Sequence, residues 1–189
     1  MASVEPCPVD PPQPPPFCWP PEPLHVALVE PEIPPNTGNI ARLCAATGTR
    51  LHLVGPLGFR LTDARLRRAG LDYWPAVELV RHPDYAAFTR AMPSARLLFF
   101  STHGRRWYTA ARYQPGDVLV FGSETRGLPA ELLAAHPDRV FAIPIRKECV
   151  RSLNLATAVG IVLYEALRQL HVARLTSSGS ATAGSTPRS

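Results

Sequence analysis

Residues 121–129 read FGSETRGLP and follow directly on the apolar run DVLVFG, 117–122. A short apolar run bounded by glycine predicts a buried strand. Within a few residues that strand releases a carboxylate, a guanidinium, a second glycine and a proline at Glu124, Arg126, Gly127 and Pro129. The spacing of Gly122 and Gly127 matches a phosphate-binding P-loop, which also requires a Lys-Ser/Thr pair after the second glycine. Leu128 and Pro129 stand there instead, and no GxGxxG occurs in the chain, so nucleotide hydrolysis and dinucleotide redox chemistry are both poor readings. The stretch reads as the end of a strand, a constrained loop and the start of a helix at Pro129.

Outward from it, β-rich runs alternate with helical patterns: LHVALVE, NTGNIARLCAATG, RLHLVG, TDARLRRAG, AVELV, PDYAAFTRAM, ARLLFFST, DVLVFG, PAELLAAH, RVFAIPI and SLNLATAVGIVLYEALRQL. This alternation predicts an α/β domain with a mainly parallel sheet and flanking helices. Ligands of such sheets bind beyond the carboxyl ends of the strands. The loops after Glu30, Thr102, Gly122 and Ile143 are therefore the places to look for chemistry.

At 189 residues and 46% hydrophobic composition, one well-buried domain is expected. A formal charge of +5 favours an anionic partner such as nucleic acid. The four cysteines, Cys7, Cys18, Cys44 and Cys149, form no CxxC pair and no zinc-ligand spacing, so reduced thiols, a cytoplasmic location and no metal are expected. No run approaches the length of a membrane span, and the start lacks a signal-peptide pattern.

Ten of the 22 prolines fall before residue 24, which predicts an extended or disordered arm over 1–23, either a plain tail or a proline-rich docking ligand. The small polar end predicts a disordered tail over 172–189. The folded unit is then 24–171.

Four loops carry unusual residues. In EPEIPPNTGNIARLC, Asn36 or Thr37 can cap a helix, and Arg42, off the apolar stripe, can lean back toward that N-terminus, where free amides favour an anion. Asn36 as a mere cap and Arg42 as a solvated residue is the plainer alternative. In FFSTHGRRWYTA, Gly104 permits a sharp turn, and Arg105, Arg106, Trp107 and Tyr108 suit phosphate contact and base stacking, or simply form a basic surface loop. His103 is either a general base or incidental. In the last segment Ser152 can cap a helix from Leu153 to Leu167 that is apolar almost all round and so is buried on more than one side, needing either a sheet plus neighbouring helices or a second subunit. In RLRRAGLDYW, Arg65 and Arg68 share one helix face with Arg67 turned away. They are a solvated face or an RNA-backbone contact.

Taken together, PPNTGNIARLC, RLRRAGLDYW, FGSETRGLP and IPIRKECVRSLNLATAVGIVLYE resemble the SPOUT superfamily of knotted methyltransferases, most closely those that methylate the ribose of the tRNA wobble nucleotide. The resemblance covers 24 to about 171. It implies a C-terminal trefoil knot, S-adenosylmethionine as cofactor, the anticodon stem-loop of tRNA as substrate and a homodimer sharing its active site. It further implies that Phe100, Gly122, Ile143 and Ser152 line the cofactor pocket, Gly122 by letting the chain approach the cofactor without a Cβ. Glu124 and Arg126 would organise the knot and the site's rim. Asn36, Arg42 and Asn154 match the catalytic and RNA-facing motifs, with Arg65, Arg67, Arg68 and Arg126 on the RNA. RKECVRSLN runs one residue longer than the family pattern, and Ala156 stands where close relatives have serine. Alternatives are a ribose methyltransferase for another tRNA or ribosomal RNA site, and a non-catalytic RNA-binding relative.

Overall fold

β1 (His25–Val29), HVALV, is buried at every position, as a strand covered on both faces must be. The computed structural model describes residues 15–59 and 74–180, with only the backbone of 177–180. From β1 the chain enters α1 (Pro34–Thr47), β2 (Arg50–Val54), β3 (Leu79–His82), α2 (Tyr85–Ala91), β4 (Leu97–Phe100), the short β5 (Arg106–Trp107), β6 (Val118–Phe121), α3 (Ala130–Ala135), β7 (Val140–Ala142) and α4 (Leu155–Ser180). The strands form one sheet in the order β3-β2-β1-β6-β4-β7-β5. Every pairing in it is parallel, as the alternation predicts.

Alternate strand residues face opposite layers. Val26, Leu28, Leu51, Leu119 and Phe121 pack with Ile40 and Cys44 of α1 and with Val159, Leu163 and Leu167 of α4. Ala27, Val29, Val54, Phe99 and Val120 form the second core with Phe88 of α2. Within that layer three buried histidines make a ladder across β1, β2 and β3. His25 Nδ1 lies 2.9 Å from His52 Nε2, and His52 Nδ1 lies 3.0 Å from His82 Nε2. Burial lowers the pKa of all three, and in His52 the flanking imidazoles and Arg50 add to it, to about 3.

β7 lies between β4 and β5, although those two are joined in sequence by residues 101–105 alone. The connection must therefore cross β7. It does so at Gly104, where a Cβ would collide with the Phe141 and Ala142 backbone. The expected sharp turn is present, closed by the Gly104 amide on the Ser101 carbonyl at 3.1 Å, and the close crossing is what requires glycine in it.

Several boundaries differ from expectation. α1 starts at Pro34, so Asn36 and Thr37 sit inside its first turn and neither caps it; the two prolines supply a preset φ where no intrahelical donor is needed. α4 starts at Leu155 with Asn154, not Ser152, capping it: Asn154 Oδ1 accepts from the Ala156 and Thr157 amides at 2.9 and 3.3 Å. The same helix continues to Ser180, through the first part of the expected tail. β3 lies later than AVELV suggests, after a single turn at Trp74–Ala76. β5 arises inside a stretch expected to be loop.

Ahead of β1, in the expected arm, Phe17 stacks on His171 of α4 at 4.5 Å, and the Cys18 amide donates to His171 Nδ1 at 3.1 Å. Arg174 donates to the Trp19 carbonyl at 2.8 Å. The helix expected in TDARLRRAG, with Arg65, Arg67 and Arg68, lies outside the described residues.

Candidate active site

At the carboxyl ends of β4, β6 and β7 lies a cavity of about 880 Å³. Phe100, Gly122, Ile143 and Ser152 all line it, and so do Asn36, Asn154 and Arg126. Residues singled out on four separate loops thus meet at one place. Arg42 lies on an exposed face of α1, outside that lining. His103 lines the cavity together with Ser101 and Thr102, and Arg151 joins them from the segment before α4.

The loop after β6 is closed on itself by a hydrogen bond that the Gly127 amide donates to the Ser123 carbonyl at 2.9 Å. Gly127 has φ +69°, a region that disfavours any Cβ. A Cβ on Gly122 would run into the Gly127 and Leu128 backbone. The missing side chain of Gly122 thus admits its own loop. The tight loop then delivers Pro129 to the N-cap of α3.

Glu124 projects from this loop to the start of α1. Its carboxylate accepts from the Glu32 amide at 2.8 Å, the Ile33 amide at 3.3 Å and Asn36 Nδ2 at 2.9 Å. It therefore does the work expected of a local cap, favoured both by unpaired amides and by the helix dipole. Asn36 Oδ1 in turn accepts from Asn154 Nδ2 at 2.8 Å. One chain of hydrogen bonds thus joins the β6 loop, α1 and α4 at the cavity wall. Buried Asn36 uses its amide as donor and acceptor at once.

The same two loops are pinned further out. Thr125 Oγ1 donates to Glu32 at 2.7 Å, and Arg126 pairs with Glu30 at 2.7 Å and with Glu32 at 3.7 Å. Glu30 holds φ +50°, the one non-glycine residue at positive φ among the described residues. Nothing in the local sequence signals these partners, which lie roughly ninety residues apart. The cap role of Asn154 was legible in principle, since asparagine directly before an apolar run is a start signal.

Among the described residues no group of three or more His, Cys, Asp or Glu side chains could hold a metal ion, and no helix is long and apolar enough to cross a membrane.

A parallel sheet with a ligand-sized cavity at its strand ends, walled by a tight glycine loop and the N-termini of two helices, defines an α/β cofactor-binding enzyme domain. Residues 23–164 match the SpoU rRNA Methylase family, and the chain belongs to that family. The tRNA (cytidine(34)-2'-O)-methyltransferase of Escherichia coli K12 is 53% identical over 148 residues, covering 78% of this chain and 94% of that one. A solved structure described as "Structural insights into the 2-OH methylation of C/U34 on tRNA" aligns with a TM-score of 0.75 at 53% identity, over 79% of this chain and 97% of the other. An AdoMet-bound rRNA methyltransferase from Sinorhizobium meliloti aligns with a TM-score of 0.70 at 31% identity, over 81% of this chain and 59% of that one.

Proposed function

We propose that this protein transfers a methyl group from S-adenosylmethionine to the ribose 2′-hydroxyl of the wobble nucleotide, cytidine or modified uridine 34, in the tRNA anticodon loop. The observation that carries this reading is the cavity at the strand ends, where residues from four loops converge. The 53% identity to an enzyme of that name over nearly its whole length supports the choice of substrate.

The cavity fits the cofactor. Its volume of about 880 Å³ lies in the range of small-molecule sites, and its walls combine Phe100, Phe121, Ile143 and Leu155 with residues of the strand-end loops. Bound there, S-adenosylmethionine supplies an electrophilic sulfonium methyl. Phe100, Gly122, Ile143 and Ser152 hold it, and the crossing at Gly104 belongs to a trefoil knot that keeps these loops in place.

A ribose hydroxyl is a poor nucleophile at neutral pH, so the protein's task is alignment and help with one proton. Asn36 and Asn154, locked to each other and to Glu124, orient the reacting ribose at the cavity wall. Arg42 holds the adjacent phosphate and electrostatically lowers the proton affinity of the hydroxyl. Arg42 lies outside the cavity lining of its own chain and acts in the site of a second subunit, which completes it. Arg65, Arg67, Arg68 and Arg126 contact the RNA backbone, and the reaction takes place in the cytoplasm.

The test is transfer of labelled methyl to bulk tRNA with the modified nucleotide mapped, for wild type and Arg42→Ala. Label at the wobble ribose that collapses in the variant is the expected result. Label at another site refutes the substrate, and absence of cofactor binding refutes the enzyme.

A further inference from the structure

The segment GRRWYTA divides into two kinds of residue once folded. The Arg106 guanidinium lies 5.3 Å from the centre of the Phe141 ring and donates to the Asp138 carbonyl at 3.3 Å. Tyr108 packs against the core shared by α1 and α4, and its carbonyl accepts from Tyr113 Oη at 2.8 Å. Those two side chains serve the fold. Trp107, alternating with Arg106 on β5, is 58% exposed, more than any other large apolar side chain among the described residues. Arg105 beside it is also exposed.

The place of the indole is set by register. Trp107 pairs with Ala142, the residue before Ile143, which lines the cavity. Four residues upstream, His103 lines it as well. β5 is an edge strand of the sheet, so Trp107 lies outside the cavity lining, one register step from cavity-lining Ile143, with one side toward solvent. The segment that leaves β7 adds exposed Arg146, Lys147 and Arg151 against a single carboxylate, Glu148.

We propose that Trp107 is a stacking platform for an unpaired nucleobase next to the nucleotide being methylated, with Arg105 on the adjoining phosphate. This rests on the RNA reading given above. The exposed cations around this indole, Arg105, Arg146, Lys147 and Arg151 against the one carboxylate of Glu148, favour an anionic partner. A polyanion that presents flat π-faces fits both features, and the bases of a single-stranded loop offer them.

The experiment compares wild type, Trp107→Phe and Trp107→Ala with a synthetic anticodon stem-loop RNA. Trp107→Ala should raise the KM for the stem-loop roughly five-fold or more, with kcat and the cofactor Kd close to wild type, the signature of lost uniform binding. Trp107→Phe, which keeps a ring, should recover most of the affinity. Titration with RNA should quench tryptophan emission in wild type and leave Trp107→Phe, which keeps Trp19 and Trp74, nearly unquenched. An unchanged KM in Trp107→Ala overturns the proposal. So does a changed sedimentation coefficient in that variant, which would make Trp107 a subunit contact. A wild type that methylates no tRNA refutes the functional reading instead, and the titration still decides: quenching that depends on Trp107 supports the platform, and its absence overturns it.

Discussion

Asn154 Nδ2 donates to Asn36 Oδ1 across 2.8 Å, joining the cap of the last helix to the first turn of the first helix, 118 residues away. Asn36 passes the link on to Glu124. Three elements that wall the cavity are thereby held through one buried amide.

Substitution at Asn36 tests that link. Asn36→Asp sets a second carboxylate against Glu124 and removes the donor, so it should destabilise by about 3 kcal/mol, whereas Asn36→Ala should cost about 1–2 kcal/mol. Asn154→Ala loses a cap as well as the link and should cost about 1–2 kcal/mol. Urea unfolding of the three variants checks the order.

Gly122 and Gly127 should respond differently to the same change. Gly122→Ala drives a Cβ into the Gly127–Leu128 backbone and should destabilise by about 3 kcal/mol with loss of cofactor binding. Gly127→Ala meets open space and suffers only from its φ, about 1–2 kcal/mol. Equal losses in the two variants would contradict the loop geometry.

The histidine ladder predicts acid sensitivity. Each imidazole has a folded-state pKa below its ordinary 6.5, so the unfolded chain takes up protons that the folded chain refuses. Stability from these groups is complete above pH 6.5 and falls as pH drops toward the folded values, for His52 toward about 3. Each group contributes a slope of up to about 1.4 kcal/mol per pH unit. Stability followed between pH 6.5 and 5, above most carboxylate titration, should show this loss, and His52→Gln should flatten it.

α4 buries Leu155, Val159, Val162, Leu163, Ala166, Leu167 and Leu170 and leaves Tyr164, Val172 and Leu175 exposed on another face. The sequence expectation of burial on more than one side is met within the chain on one face only. If a second copy covers the remainder, Tyr164→Glu should turn a dimer into a monomer in sedimentation and depress methyl transfer, while the cofactor Kd changes little. A wild-type monomer at micromolar concentration would refute the shared site.

Much of this was legible along the chain. Runs such as HVALV and VLVF specify parallel strands because both faces are covered, and strand ends in a parallel sheet are where a cavity forms. Phe100, Gly122, Ile143 and Ser152, which the family resemblance marks, and Asn36 and Asn154, which their loops also mark, all line one cavity. Helix starts were less legible at α1 and α4. A capping carboxylate from another loop leaves no local trace, so Asn36 passed for a cap when it is the residue the cap binds.

By itself the sequence determined most of the described elements apart from β5, their alternation and the loops that carry polar residues, because these depend on side-chain period and backbone preference within a few residues. Only the tertiary structure decided that Gly104 and Gly122 are crossing points, that exposed Arg106 lies over the Phe141 ring, and that Glu124 supports Asn36. Each of those depends on which backbone or ring arrives from a distant segment, and local pattern carries no information about that arrival.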